Sequence, residues 1–454
     1  METDIDLGRR LKLSNAIRSV FLNALLSKRS RRLQRSYFEL RRRLGRQGHV
    51  VSVFLQLDDP YSYLLSRYLP ELASSYNIEL KVYLSQARGG EYEPASDMAA
   101  EYAALDAQRV ASELGIPFLD KGAAPPVEHR RGLLDVLAAR AERGDFAEEL
   151  SAVLEIYWRG DSETAARRSD TGESGQADEV IARSQDLQER LGHYKSGMLY
   201  YGGEWYWGVD RLHYLVDRLK DMGLAREGAT GAGLASIRQA MQLALPVTPP
   251  AAAKQLPPLE LFYSFRSPYS YLSLKRVYEI ADAFGLELRL RPVLPMVMRG
   301  MQLPRPKLLY IAKDTVREAE RLQIPYGKIA DPVGKGTERC LAVFPYAESE
   351  HKGRDFLASA GTAIWSEAVD VSTDRGMRKV TGRTGLFWPD VLAAMESDEW
   401  RPEIEQNRES MMASGSWGVP TIRIGDDVFW GQDRDWLLAR HIEELCDTGD
   451  GILV

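Results

Sequence analysis

Two short motifs occur twice in this chain, in the same order. Asp-Pro-Tyr-Ser-Tyr-Leu at 59–64 returns as Ser-Pro-Tyr-Ser-Tyr-Leu at 267–272, and Trp-Gly-Val-Asp-Arg at 207–211 returns as Trp-Gly-Gln-Asp-Arg at 430–434. Such a repeat predicts a tandem duplication of one domain. The length of 454 residues agrees, because single cores stop growing at roughly 250 to 300 residues. The differences between the two copies then become the main evidence about function.

Each copy begins with a predicted β-α-β unit. In the first copy, the β-branched run Val50–Leu55 precedes a helical pattern at 61–76 and an alternating strand at 78–84. The second copy repeats this order with a strand at 259–263 and a helix from about 267 to 284. A helical stretch follows in both copies, and each closes with two short strands and a helix. We therefore expect an α/β fold with a parallel strand pair in each copy.

The same patterns divide the chain into four segments. We expect a basic helical N-terminal arm at 1–48, a first domain at 49–222, a linker rich in Pro, Ala and Gly at 223–258, and a second domain at 259–446. The polar segment 159–178 predicts a loop inside the first domain. No apolar run approaches the roughly 20 residues that cross a bilayer, and the acidic start does not fit a secretory signal. We expect no membrane insertion and a cytoplasmic location.

The N-terminal arm is strongly basic, although the whole chain has a net charge of −6. The basic runs at 28–32 and 41–43 suit either a nucleic-acid or an anionic membrane partner. Alternatively, amphipathic helices of this segment pack against the acidic body. We favour packing on the body and expect no nucleic-acid partner. The apolar residues that suggest this packing recur at helical spacing in two groups. The first is Leu13, Ile17, Val20, Phe21, Ala24 and Leu25, and the second is Leu33, Tyr37, Leu40 and Leu44.

The order of the motifs resembles that of a known family. Ser-Pro-Tyr-Ser at 267–270, Gly-Val-Pro-Thr at 418–421 and Phe-Trp-Gly-Gln-Asp-Arg at 429–434 resemble the DsbA-like branch of the thioredoxin fold. Within that branch they are most similar to 2-hydroxychromene-2-carboxylate isomerases and kappa-class glutathione transferases. The resemblance covers 259–445 well and 50–220 in weaker form. It implies two tandem thioredoxin-like domains, each a mixed sheet with an all-helical insertion, and glutathione as cofactor.

Ser267 is the candidate catalytic residue. It stands where redox members of the resembling fold carry the first cysteine of Cys-Pro-X-Cys. A hydroxyl at a helix N-terminus can hydrogen-bond the thiolate of glutathione, and the helix dipole also favours an anion there. A lowered thiol pKa increases the nucleophilic thiolate population. The alternative is a structural N-cap, with Pro268 in the first helical position.

Five more residues are candidates for binding glutathione. By the resemblance, the Val419–Pro420 bond is cis and turns the Val419 backbone toward the cysteinyl backbone of glutathione. An ordinary proline at the start of an edge strand is the alternative. The resemblance also implies that Gln432 and Asp433 hold the γ-glutamyl end, although helix capping explains Asp433 equally. Lys307 is implied to bind a carboxylate of glutathione or substrate, or else is a solvated surface lysine.

The first copy departs from this pattern at two positions. Asp59 stands where Ser267 stands, and Gly197 stands where Pro420 stands. A carboxylate at the helix N-terminus repels a thiolate and raises its pKa. We therefore expect a degenerate first domain and an active second domain. Because the resembling enzymes are homodimers, we expect a pseudo-dimer within the chain, and a homodimer of the chain stays open.

The resemblance implies the isomerisation of a small aromatic or conjugated carbonyl substrate of the hydroxychromene-carboxylate type. The glutathione thiolate adds to a conjugated carbon, allows bond rotation and leaves. The alternatives are a kappa-like glutathione transferase, a thiol-dependent reductase, or a noncatalytic thioredoxin-fold interaction protein. Cys340 and Cys446 lie far apart, and the six histidines show no metal-ligand spacing. We expect no metal site and no internal dithiol.

Overall fold

The structure is a computed structural model whose residues group into two compact units. The first unit consists of Leu33–Ala244 and Leu303–Tyr310. The second unit consists of Leu245–Gln302, the residues from Ile311 on, and the described residues before Leu33. The residues that the structure describes are 23–24, 26–119, 130–141, 146–169 and 176–448.

The first unit contains a mixed four-stranded sheet. Its strands are β1 (Val50–Leu55), β2 (Glu79–Leu84), β3 (Met198–Tyr201) and β4 (Glu204–Trp207), in the order β2-β1-β3-β4. Strands β1 and β2 are parallel, with Val50 opposite Glu79, whereas β3 is antiparallel to both of its neighbours.

Ten α-helices of the described residues that precede β5 have residues in this unit. The first, α1, precedes β1, and α2 and α3 connect β1 to β2. Helices α4 to α8 lie between β2 and β3, while α9 and α10 follow β4. Their bounds are Lys28–Leu44, Pro60–Ser66, Leu69–Ser75, Ser96–Leu114, Arg130–Ala138, Phe146–Trp158, Ser162–Ser169, Ala177–Arg190, Leu212–Asp221 and Ala232–Ala240.

The second unit repeats the sheet topology. Its strands are β5 (Leu259–Tyr263), β6 (Leu288–Pro292), β7 (Thr421–Ile424) and β8 (Asp427–Trp430), in the order β6-β5-β7-β8. The strand pairs are again parallel for β5 with β6 and antiparallel for the rest. Its helices are α11 to α18, and α12 also contributes residues to the first unit. The bounds are Pro268–Phe284, Arg305–Leu322, Lys335–Ser349, Gly353–Ser366, Asp374–Thr384, Trp388–Glu396, Arg401–Ala413 and Asp435–Thr448.

The central strand β5 is buried along its whole length. It includes a charged residue, Glu260, which is 6% exposed. The Glu260 carboxylate accepts hydrogen bonds from Arg291 on β6, at 2.8 and 3.0 Å, and from Arg423 directly opposite on β7. Burial alone would raise the pKa of Glu260, but the two guanidinium groups outweigh it and lower that pKa. Paired charges therefore make a carboxylate compatible with the middle of the sheet.

The predicted helix at 61–76 is wrong in one respect, because the structure has two helices there. The helix α2 ends at Ser66, and α3 carries Pro70 in its first turn. Proline has no N–H and its ring clashes with the carbonyl four residues earlier, so the first helix cannot continue through it. Tyr278 occupies the equivalent position of the second copy, and α11 runs uninterrupted.

The grouping into units also differs from the predicted boundaries. The segment Leu303–Tyr310, expected in the second domain, belongs to the first unit. The expected linker contains a short helical pattern around 237–245, and the structure has α10 there at 232–240, with Leu234 and Ile237 buried. In the expected loop at 159–178, residues 162–169 are helical, and residues 170–175 lie outside the described residues.

The expected packing of the arm's apolar residues on the body is wrong for the group on α1. Of the group at 13–25, only Ala24 lies within the described residues. Leu33, Tyr37, Leu40 and Leu44 are all exposed, and no residue of this helix is buried. The helix contacts the first unit through a different face, where Arg35 pairs with Glu204. Within the described residues, no helix is both long and apolar enough to cross a membrane.

Candidate functional site

Ser267 lies at the N-terminus of α11 and caps it. Its backbone is extended, with φ −94° and ψ 115°, and its Oγ accepts a hydrogen bond from the Ser270 N–H at 3.1 Å. Pro268 follows in the first helical turn, as expected for this position. The Ser267 hydroxyl also donates to the Val419 carbonyl at 3.4 Å. The capping role is therefore confirmed, and the same hydroxyl faces the loop that precedes Pro420.

The topology of the sheet explains this meeting of Ser267 and Val419. Strand β7 is antiparallel to β5, with Thr421 opposite Phe262. The residues just before β7 thus lie beside the residues just after β5, although about 150 positions separate them. The Val419–Pro420 peptide bond is cis, which confirms the prediction of a cis bond.

The loop before Pro420 is held by short polar contacts and by indole packing. The Thr421 hydroxyl donates to the Gly418 carbonyl at 2.7 Å and lies 2.6 Å from the Ser416 Oγ. Trp417 and Trp430 meet edge to face, with ring centroids 5.5 Å apart. A Cβ on Gly418 would lie 2.4 Å from Trp430, so only glycine fits there. These contacts fix the position of the Val419 backbone.

Gln432 is buried between the last strand and the last helix. It is 3% exposed, and its Nε2 donates to Glu318 Oε2 at 2.8 Å. Glu318 is also buried and accepts from Arg321 at 2.8 Å. Because a carboxylate accepts hydrogen bonds, the amide nitrogen of Gln432 faces Glu318. The Gln432 Oε1 has no hydrogen-bond partner among the described residues. The unpaired atom of Gln432 is therefore an acceptor, and it is buried.

Asp433 is the next residue and lies just before α18. Its backbone carbonyl accepts from the Trp436 indole N–H at 3.1 Å. Its side chain is 18% exposed and lies 3.9 Å from the buried Arg434. The following Asp435 is held by Arg276 at 2.6 Å and accepts the Trp436 backbone N–H. The Asp433 carboxylate is accordingly the more exposed of these two acids, as a ligand-binding role requires.

Lys307 lies in the first unit. It belongs to the segment Leu303–Tyr310, and its Nζ donates to the Tyr92 carbonyl at 2.6 Å. Burial lowers the pKa of Lys307 to about 8, although Glu93 opposes this shift. The alternative of a solvated surface lysine is therefore wrong. The predicted role in carboxylate binding stays a prediction, and the residues that the structure brings to Lys307 come from the first copy.

The equivalent site of the first unit carries a carboxyl group. Asp59 caps α2, and its Oδ2 accepts from the Ser62 N–H at 3.0 Å and from the Ser62 hydroxyl. Burial raises the pKa of Asp59, and the contacts with Ser62 oppose that shift. Gly197 has φ 69°, which proline cannot adopt. The first unit therefore has neither the hydroxyl nor the proline of the second.

Glu318, the partner of Gln432, was not among the predicted site residues. When the two copies are aligned on the Ile-Pro motifs that follow α4 and α12, Val110 of the first copy occupies the position of Glu318 in the second. Val209 likewise occupies the position of Gln432. Both valines are buried. A buried polar pair in one copy thus replaces two apolar residues in the other. This paired difference was visible in the sequence and would have indicated the contact.

Neither cysteine of the chain has the features of an activated thiol. Cys340 is buried, and burial raises the pKa of its thiol. Cys446 is half-buried, and burial also raises the pKa of its thiol. In the described ranges, no group of three or more His, Cys, Asp or Glu residues is placed to hold a metal ion.

The sheet topology and the cis proline beside a helix N-terminus define a thioredoxin-like α/β fold in the second unit. Residues 258–443 match the family described as DSBA-like thioredoxin domain, and this region is a DsbA-like thioredoxin domain. The matched residues make up less than half of the chain.

Several curated proteins are similar to part of the chain. The 2-hydroxychromene-2-carboxylate isomerase of Pseudomonas putida is 24% identical over 196 residues, which cover 41% of this chain and 95% of that protein. Glutathione S-transferase kappa 1 of Homo sapiens is 24% identical over 208 residues, covering 41% of this chain and 91% of that protein. A solved 2-hydroxychromene-2-carboxylate isomerase is 22% identical, with a TM-score of 0.38, over 43% of this chain and 99% of that one.

Proposed function

We propose that the second unit is a glutathione-dependent isomerase of the 2-hydroxychromene-2-carboxylate type. The observation that carries this proposal is the Ser267 hydroxyl, which lies at a helix N-terminus and faces the Val419 carbonyl at 3.4 Å. The similarity to isomerases along nearly their whole length supports the reaction type. A small aromatic or conjugated carbonyl compound is the proposed substrate.

The described residues suit glutathione in their donor and acceptor types. Ser267 supplies a hydroxyl donor where the helix dipole favours an anion. Asp433 supplies a partly exposed carboxylate, and Gln432 an unpaired acceptor, both suited to an ammonium group. Bound glutathione supplies a thiolate that adds reversibly to a conjugated carbon.

In this proposal, Ser267 and the N-terminus of α11 stabilise the thiolate and so lower the pKa of the thiol. The hydrogen bond from Ser267 to Val419 is long, so the hydroxyl can turn to an incoming anion at little cost. Val419 offers its backbone to the cysteinyl backbone of the tripeptide. Proline at 420 and glycine at 418 keep that backbone in place.

A glutathione transferase is the second candidate function. A transferase would use the same thiolate site, but the glutathione would stay bonded to the acceptor in the product and would not be regenerated. The similarity to kappa-class transferases over about nine-tenths of their length favours it. The two candidates differ in whether glutathione is regenerated, so assays of isomerisation and of conjugation distinguish them.

The test compares Ser267→Ala with Asp59→Ala, since each removes a capping side chain from an equivalent helix. We expect millimolar glutathione to raise the Tm of the natural chain, because a ligand that binds only the folded state stabilises it. Ser267→Ala should abolish this rise and reduce isomerase activity by about a hundredfold or more, as removal of one key donor does. Asp59→Ala should retain both the rise and the activity.

Three results would decide against the proposal. If glutathione leaves the Tm of the natural chain unchanged, glutathione dependence is wrong. If both variants lose the Tm rise equally, the effect comes from helix capping and not from a thiolate at Ser267. If glutathione is consumed stoichiometrically with an electrophilic acceptor and no isomerisation occurs, the chain is a transferase.

A further inference from the structure

The face of α1 that points away from the first unit is apolar along its centre. Leu33, Tyr37, Leu40 and Leu44 follow one another at helical spacing and expose 63, 59, 57 and 77% of their surface. Large apolar residues on protein surfaces are normally scattered singly, and a contiguous group marks an interaction site. We call these four residues the outer stripe.

The opposite face of α1 fixes the direction in which the outer stripe points. Arg35 makes a bidentate ion pair with Glu204, at 2.6 and 2.9 Å. Gln34 donates to the Gly203 carbonyl at 3.3 Å. Phe38 packs so closely on Gly203 that a Cβ there would lie 2.2 Å from its ring. Because these contacts hold the inner face, the outer stripe faces solvent.

Basic residues border the outer stripe on both sides. At about 100° per residue, Arg29 and Arg32 lie along one edge and Arg41 along the other. All three are exposed, and none has an ion pair among the described residues. The single acid of the helix, Glu39, lies toward the inner face and pairs with Arg42 and Arg43. The outward face is therefore apolar in its centre, cationic at its edges and free of acids.

This combination selects among three kinds of partner. A second copy of the chain would bring two cationic borders together, which costs energy. A nucleic acid would neutralise the arginines through its phosphates but leave the apolar side chains in water. An anionic lipid surface matches both parts, since the apolar side chains enter the headgroup region while the arginines meet lipid phosphates.

We propose that the outer stripe and its bordering arginines dock the chain on an anionic lipid surface. The helix lies in the plane of the headgroups, and no part of it crosses the bilayer. The acidic character of the chain as a whole then orients the molecule, because an anionic surface attracts only its basic parts. This docking does not involve Ser267, so it can be tested separately from the isomerase proposal.

The experiment measures sedimentation of the full chain with vesicles. One set contains equal parts of phosphatidylglycerol and phosphatidylcholine, and the other contains phosphatidylcholine alone. We expect binding to the anionic set only, and we expect it to fall at high salt, which screens the arginines. Combined Arg29→Gln, Arg32→Gln and Arg41→Gln should weaken binding about a hundredfold, from the usual contribution of three basic residues at an anionic surface.

A second variant tests the apolar part. Combined Leu33→Gln, Leu40→Gln and Leu44→Gln should weaken vesicle binding about tenfold or more. Matched controls are Val247→Gln, at a residue that is 101% exposed elsewhere, and Arg375→Gln, at an exposed arginine of α15. Both controls should bind like the natural chain. Unchanged circular dichroism and Tm in every variant show that the fold is intact.

Three outcomes would overturn the proposal. One is equal binding to both vesicle sets. Another is a gel shift of labelled duplex DNA or single-stranded RNA that depends on the arginines, in the absence of vesicle binding. The third is a dimer in sedimentation equilibrium that the leucine variant dissociates while the natural chain ignores vesicles, which would assign the stripe to a second copy.

Discussion

The two units keep the same contacts along the helix that follows the first strand of each sheet, but they differ at the residue that caps this helix, Asp59 in one and Ser267 in the other. In both units, two tyrosines of the repeated motif donate hydrogen bonds to the next long helix, α4 or α12. One bonds an aspartate of that helix, and the other bonds the proline carbonyl of the Ile-Pro motif that follows it. The matched hydrogen bonds are Tyr61 to Asp106 at 2.8 Å and Tyr269 to Asp314 at 2.9 Å, and Tyr63 to the Pro117 carbonyl at 2.6 Å and Tyr271 to the Pro325 carbonyl at 2.9 Å.

The residues that differ include those proposed to bind glutathione. Asp59 replaces Ser267, Gly197 replaces Pro420, and Val209 replaces Gln432. A buried tyrosine that loses its partner costs stability in either copy, so those contacts persist. The helix cap needs only a side-chain acceptor, which Asp and Ser both supply. The scaffold of this fold and its proposed chemistry therefore depend on separate residues.

Exchanging the capping residues tests whether Ser267 accounts for the proposed difference in activity between the two units. Ser267→Asp keeps a cap but places a carboxylate beside the thiolate, which it repels. We expect loss of the glutathione-dependent Tm rise and an activity lower by about a hundredfold or more, with little change in Tm without ligand. The reciprocal Asp59→Ser should leave activity unchanged. Loss of activity in Asp59→Ser would show that the first unit takes part in the chemistry.

A double-mutant cycle measures the contribution of the buried pair Gln432 and Glu318 to the free energy of unfolding. Gln432→Val alone removes a donor from buried Glu318, and Glu318→Val alone leaves Gln432 without a partner, so each should cost about 1 to 3 kcal/mol. The double variant has the two valines found in the first unit. Its cost in denaturant unfolding should therefore be smaller than the sum of the single costs. Additive costs would mean that the contact between the two side chains contributes nothing.

Lys307 gives the smallest effect, one that depends on pH. Its folded pKa of about 8 lies below the ordinary lysine value of 10.5. Between these values the unfolded chain binds more protons, so this group makes stability rise with pH from about 8 to 10.5. Lys307→Met removes that contribution. The stability of the variant relative to the natural chain should be greatest below pH 8 and should decline by about 1 to 3 kcal/mol toward pH 10.5.

Denaturant unfolding at several pH values measures this difference. Lys275→Met is the matched control, since that lysine is exposed and its ion pair within the described part of the chain is with Glu279 at 3.7 Å. It should show no such trend. A difference between Lys307→Met and the natural chain that stays constant with pH would mean that Lys307 keeps its ordinary pKa.

Local patterns predicted much of this structure. The strands, their parallel pairing and the capping of α11 by Ser267 follow from residues near one another in sequence. The break at Pro70 was also readable, because proline ends a helix by its own chemistry. The cis bond at Pro420 followed from the resemblance alone.

Contacts between distant residues were not predictable in the same way. Nothing in the pattern around Lys307 indicates that its amine meets the Tyr92 carbonyl, 215 positions away. Likewise, the amphipathic pattern of α1 shows that one face is apolar but not which face meets the protein. The ion pair between Arg35 and Glu204 determines which face of α1 meets the protein, and the apolar face is left exposed to solvent.

The segment Leu303–Tyr310 has a consequence for any attempt to separate the two copies. Cutting the chain once between the repeats would give a first fragment without these residues. The Tyr92 carbonyl would lose its amine, and the His193 ring would lose the edge of Tyr310, 4.9 Å away. An isolated first copy that lacks Leu303–Tyr310 should therefore have a lower free energy of unfolding than the first unit within the whole chain. A gene that kept the first copy and lost the second would therefore encode a first unit without the segment that completes it.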